Sequence, residues 1–213
     1  MDSKLVYSSP FIVHSKTKTV NREPITVNQN GLALIELLIA FSIIGLVSIL
    51  IAAVYFAHSR LFSTQNTLVD VSSQNKLALD EMTNQIRESQ EVVSTCALCA
   101  GDTTSNSLVV LQIWPIDSSG EPFEPTGSDY DFIVYKRDTD NTKLIKKIIP
   151  GAGSQRKASQ KIIATNISDL QFTYDNPDPT LASEVTINLT TSAISGGKTI
   201  TSSQTTMAVL RNK

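Results

Sequence analysis

The chain has 213 residues, 41% of them hydrophobic and 18% charged, with a formal net charge of −2. That length holds one ordinary domain plus some extra chain, and it is too short for two large domains. Two His and two Cys leave little material for zinc binding or histidine catalysis, the charge balance offers no broad positive field to nucleic acid, and collagen-like, coiled-coil-only and wholly disordered chains fail on composition.

Residues 1–31 come first and are polar, with four basic and two acidic side chains. From Leu37 to Ala57 there follow 21 residues without a charge. As a helix rising about 1.5 Å per residue, they cover about 30 Å, the hydrocarbon thickness of a bilayer. The run exceeds the usual span of a secretory h-region, and no Ala-x-Ala cleavage site follows it, so a membrane anchor is expected rather than a signal peptide. Lys4, Lys16, Lys18 and Arg22 precede the span, whereas Arg60 and Lys76 follow it. The positive-inside rule then places the N-terminus in the cytoplasm and the C-terminal body outside.

The edge of the span reads Gly31-Leu32-Ala33-Leu34-Ile35-Glu36-Leu37-Leu38. Polar sequence stops at Asn30, and a carboxylate sits five residues into the apolar run. A charge within a bilayer costs about 2.5–3.5 kcal/mol on insertion scales, so an intramembrane Glu points to function. It needs a cation in the same low-dielectric layer, and a free α-amine made by cutting after Gly31 would be one. This stretch resembles the type IV prepilin and type II secretion pseudopilin families, whose signature is a Gly, a cut, an apolar residue, a short apolar run, a Glu and a hydrophobic helix. Gly31 matches the residue before the cut, Leu32 the new N-terminus, Glu36 the motif acid, and Gly45 the mid-helix glycine. The resemblance implies that prepilin peptidase cleaves on the cytoplasmic side and N-methylates Leu32. It also implies assembly into a type IV pilus or a type II secretion pseudopilus, with Glu36 neutralising a neighbour's N-terminal amine. Leu replaces the usual Phe at position 32, the leader is long, and Ala53 stands where a Pro is common, which leans towards a minor subunit.

Beyond the span, Leu68, Val71, Leu79, Met82, Ile86 and Val93 recur on one helical face, and no Pro or Gly lies between Tyr55 and Ala100. One helix is therefore expected from Leu32 to about Val93. Its first half, 32–57, is the transmembrane and assembly half; its second, 58–95, is amphipathic. The stretch from Asn75 to Ser89 is similar to the helix end of J-type minor pseudopilins and W-type minor pilins.

After Gly101 the period changes. Strands are expected at 107–116, 131–137, 143–149, 161–167, 169–175, 184–191 and 199–210, rich in Val, Ile, Thr and aromatics and punctuated by Pro, Gly and Asp. The fold class expected is α+β and pilin-like: a long N-terminal helix packed on an antiparallel β-sheet, with 96–213 forming one domain with the amphipathic helix.

Catalytic chemistry finds few footholds. Cys96 and Cys99 form a Cys-Ala-Leu-Cys pair just past the expected helix end. A local disulfide suits an oxidising compartment, with free thiols and a metal or redox role as the other readings. Beyond the leader only His58 remains, at the membrane edge, so neither a zinc site nor a catalytic triad has its ligands. Asp129, Asp131, Asp138 and Asp140 lack an EF-hand spacing and read as solvated loop acids rather than calcium ligands. The expectation is thus a structural, non-enzymatic protein with no cofactor, no metal and no nucleic-acid partner. Its partners would be other pilins or pseudopilins, prepilin peptidase and an inner-membrane assembly platform, in the bacterial inner membrane and then in the filament. The competing class is a bitopic anchor, uncleaved, holding an extracytoplasmic binding or enzymatic module.

Overall fold

The computed structural model describes the backbone of residues 29–127 and 129–211, with side chains from residue 33 onward. Residues 1–28, most of the expected leader 1–31, therefore lie outside the described residues. The chain divides into two compact units, Met1–Ala52 and Ala53–Lys213. Helix α1, Gln29–Glu88, runs for 60 residues through both.

In the first unit the described part of α1 is apolar on every face and exposed along its length. Its large side chains, among them Leu34, Phe41, Ile49 and Leu50, all stand exposed. A water-soluble helix would show one apolar stripe, and an all-apolar surface belongs in a non-aqueous medium or against other helices.

The second unit is α+β. Strands β1 (Glu91–Val93), β2 (Leu108–Ile113), β3 (Asp131–Arg137), β4 (Lys143–Ile149) and β5 (Ser159–Thr165) form one antiparallel sheet in chain order. Strands β6 (Ile167–Tyr174), β7 (Glu184–Ser195) and β8 (Lys198–Val209) form a second antiparallel sheet, also in chain order. Asn166, with a left-handed φ of 58°, carries the chain from one sheet to the other. Gly196 and Gly197, both at positive φ, close the β7–β8 hairpin, as the two-residue turns that match strand twist require.

The amphipathic half of α1 packs its apolar stripe on both sheets. Ala78, Leu79, Met82 and Ile86 meet Val109, Leu111, Ile133 and Tyr135 of the five-stranded sheet and Leu170, Phe172, Ile187 and Leu189 of the three-stranded one. The opposite face of β2 and β3 carries Val110, Phe132 and Val134, which pack beneath Cys96 and Cys99. Strands buried on both faces read as near-continuous apolar runs, and Leu108–Ile113 does, with Gln112 its one polar residue.

Polar groups fix how the helix lies. Buried Asn75 donates from Nδ2 to the carbonyls of Leu189 (2.8 Å) and Ser202 (2.9 Å). Thr191 donates its hydroxyl to the Val71 carbonyl at 3.0 Å. Gln74 accepts from the backbone N–H and hydroxyl of Thr165 at 3.1 and 2.8 Å. Lys146 of β4 pairs with Glu81 at 2.5 Å.

The helix stops at Glu88 rather than Val93. The Ser89 hydroxyl donates back to the Ile86 carbonyl at 2.7 Å, and the Gln90 N–H goes to Gln112 of β2. Val92 and Val93 then pair with Leu111 and Val110 as a strand. The β-branched pair joins a sheet edge that propensity along the helix did not reveal. Leu68 stands exposed, and Asn75 and Ala78 fill the gap in the stripe between Val71 and Leu79.

Candidate functional site

The residues that carry the resemblance all lie on the first part of α1. The backbone of Gly31 and Leu32 is helical, within the first turn after Gln29. Their side chains lie outside the described residues. Glu36 is exposed one turn further on, and among the described residues no basic group pairs with it. It is the one acidic or basic side chain on α1 between Ala33 and Ala57.

The two serines of this stretch are already satisfied. Ser42 donates its hydroxyl to the Leu38 carbonyl at 2.8 Å, and Ser48 to the Ile44 carbonyl at 2.7 Å. Such i−4 bonds let a hydroxyl sit in a non-aqueous medium. Gly45 is not there for the chain's own packing, since a Cβ added at this position meets nothing within 4 Å. A mid-helix glycine costs about 1 kcal/mol relative to Ala, so its use lies in what can approach the helix there. One helix among the described residues is long and apolar enough to cross a bilayer, consistent with a single-pass membrane protein.

In the second unit, Cys96 and Cys99 are joined as a disulfide, with Cα atoms 5.2 Å apart. Cys99 is fully buried over β2 and β3. The bond staples the chain leaving β1 to the sheet face. Among the described residues no three His, Cys, Asp or Glu side chains come together as metal ligands. His58 stands exposed on α1.

The four acids Asp129, Asp131, Asp138 and Asp140 do not share a site. Asp131 is no solvated loop acid; it is fully buried at the start of β3. Its Oδ1 accepts from the Gly151 N–H at 2.8 Å, and its Oδ2 accepts from the Ser154 hydroxyl at 2.9 Å and Arg156 Nε at 2.7 Å. Gly151 is obligatory here, because an added Cβ would lie 2.5 Å from the Tyr130 carbonyl oxygen and 2.6 Å from that of Asp129. Asp138 caps the β3–β4 turn, accepting from the N–H groups of Thr142 and Lys143 at 2.9 and 3.0 Å. The sequence signal missed was the Gly151-x-x-Ser154-x-Arg156 spacing, which places two donors and a cation after a glycine.

Two phenols are shifted. Tyr135 is held protonated well above its ordinary range, mainly by burial and secondarily by the nearby Glu81 and Glu88 carboxylates. Its hydroxyl has no hydrogen-bond partner. Tyr174 is raised by burial alone. At the surface, Asp175 is held below its usual value, first by the Ser183 hydroxyl and then by the Glu184 N–H.

No protein-family model matches this chain, and no curated protein sequence matches it.

Proposed function

We propose that this chain is the precursor of a minor pilin or pseudopilin, a structural subunit of a type IV pilus or type II secretion pseudopilus. One observation carries the proposal: an unbroken helix whose first half is exposed and apolar on every side yet bears a single carboxylate, Glu36, that has no partner among the described residues. Isolated in hydrocarbon, that carboxylate is expensive; beside a protonated α-amine it is neutralised. The precursor inserts with its N-terminus in the cytoplasm of the bacterial inner membrane. Prepilin peptidase cuts between Gly31 and Leu32 and methylates the new amine of Leu32. The assembly platform then packs the apolar helices of neighbouring subunits into a filament core. Glu36 pairs there with a neighbour's terminus, and Gly45 admits close helix approach. A buried pair of this kind fixes stagger more than it adds stability.

The membrane-spanning helix and the absence of a side-chain need for Gly45 within the chain support this reading. So does the division of α1 into an all-apolar half and a half docked on a β-rich body. One feature favours the uncleaved bitopic anchor instead. The Gly31–Leu32 bond lies inside the first helical turn, and a peptidase needs it extended. The first four N–H groups of a helix have no intrahelical partners, so this turn is the easiest to unwind.

Intact mass of the protein from native membranes separates the two. Loss of residues 1–31 with one added methyl group on Leu32 supports the subunit reading, and an intact Met1 terminus overturns it. Gly31→Leu is expected to leave the leader attached.

A further inference from the structure

Within the second unit a hollow of about 600 Å³ opens beside the C-terminal end of α1. Three arginines, Arg87, Arg156 and Arg211, line it together with Trp114. Its volume falls in the range of small-molecule sites, about 300–1,000 Å³. None of the groups described above for membrane insertion or subunit pairing touches it.

The hollow is built rather than accidental. Arg156 is held from behind by the fully buried carboxylate of Asp131, and its terminal nitrogen reaches the Trp114 carbonyl at 3.4 Å. A buried carboxylate whose only cation is a wall residue of a cavity pre-sets that guanidinium, so little order is lost when a ligand arrives. The rim loop is equally fixed. Asp117 accepts from the N–H groups of Ser119 and Glu121 at 2.8 and 3.0 Å, and Gly120 supplies the positive φ that the turn needs. Arg87 and Arg211 have exposed side chains, and among the described residues neither has a partner carboxylate. Glu88 is the one acid on the wall, and Gln85 already donates to it at 3.3 Å. Set against Asp131 and Glu88, the three arginines leave one positive charge over.

Guanidinium groups bind carboxylates through paired N–H donors. Trp114, 38% exposed, offers an indole face, on which the CH face of a pyranose ring stacks. The side-chain amide of Gln90 on the same wall both donates and accepts, as sugar hydroxyls require. An acidic peptide would be drawn by the same arginines; what favours the saccharide is the flat, exposed indole set beside them. We infer that this hollow binds an acidic saccharide, a short chain of pyranose rings carrying carboxylates.

Trp114 is the only tryptophan in the chain, so its fluorescence reports this hollow alone. The purified full chain in detergent is titrated with the linear trimer of galacturonic acid. A saturable change in Trp114 emission is expected, and the neutral galactose trimer should need at least about tenfold more ligand for the same response. Arg87→Gln and Arg211→Gln, both at exposed positions, should each weaken binding by about tenfold, checked against an unchanged circular dichroism spectrum. The inference is overturned by no saturable response to the acidic trimer, by an equal response to the neutral one, or by full affinity in the double arginine variant. Preferential binding of a glutamate oligomer would equally overturn the saccharide assignment.

Discussion

Replacing Asn75 by Ala tests how the amphipathic half of α1 is seated. Asn75 is fully buried, and its amide donates to Leu189 and Ser202 at 2.8 and 2.9 Å, carbonyls on two neighbouring strands. Losing two hydrogen bonds costs about 1 kcal/mol each, and the space left by the amide adds about 1 more. Its Oδ1 is buried without a partner, so removing it returns about 1 kcal/mol. The net loss should be about 2 kcal/mol, roughly a thirtyfold fall in the folded-to-unfolded ratio. Urea unfolding of the full chain in detergent, followed by Trp114 fluorescence, measures this directly. The midpoint should drop while the slope stays constant. A loss below about 0.5 kcal/mol would refute the view that this amide seats the helix, because surface substitutions alone account for changes of that size. Asn75→Leu, which refills the space but leaves both carbonyls without the donor, should recover less than half of the loss.

Gly151→Ala forces a Cβ against two backbone oxygens and shifts the N–H that serves Asp131, so a loss of about 2–3 kcal/mol is expected in the same unfolding assay. Tyr135→Phe removes a hydroxyl that is buried without a partner, so stability near neutral pH should hold or rise by up to about 1 kcal/mol. Because the folded state raises this phenol's pKa above its ordinary value of 10.0, its contribution is complete below that value and is lost as pH climbs past it. The Phe variant should therefore unfold less steeply between pH ~10 and ~12, which alkaline melting curves check. Glu36→Leu should insert normally but fail to join a filament; wild-type incorporation of that variant, measured by shearing and immunoblot, would show the charge to be dispensable.

Much of the fold could be read from residue patterns. Strands β3 and β4 run from Asp131 to Arg137 and from Lys143 to Ile149, as their β-branched runs and flanking turn residues indicate. The long helix and the α+β class follow from an apolar period that changes from helical to alternating near residue 101. What escaped was decided by distant contacts. Three residues, Glu91–Val93, carry no strand signal of their own and become β1 because β2 offers an open edge. The split into two sheets depends on a left-handed Asn166, a conformation that no local pattern announces. Asp131 reads as a loop acid until Gly151, Ser154 and Arg156 close over it from 20 to 25 residues away. The candidate site divides in the same way. Glu36 stands out because a charge interrupts an apolar run, whereas the arginine-lined hollow gathers residues 87, 114, 156 and 211 that are far apart in sequence.

The hydroxyls of Ser42 and Ser48 have a bearing on how this helix can change surroundings. Each is closed onto its own backbone, so the segment carries its polar accounts with it from one medium to another. Hydrocarbon tails are as apolar as leucine side chains, so apart from the Glu36 charge, moving such a segment from lipid to a bundle of like helices makes or breaks little beyond shape-fitting. A near-neutral exchange of that sort can be driven in either direction by a small push, the property that the proposed filament subunit would need.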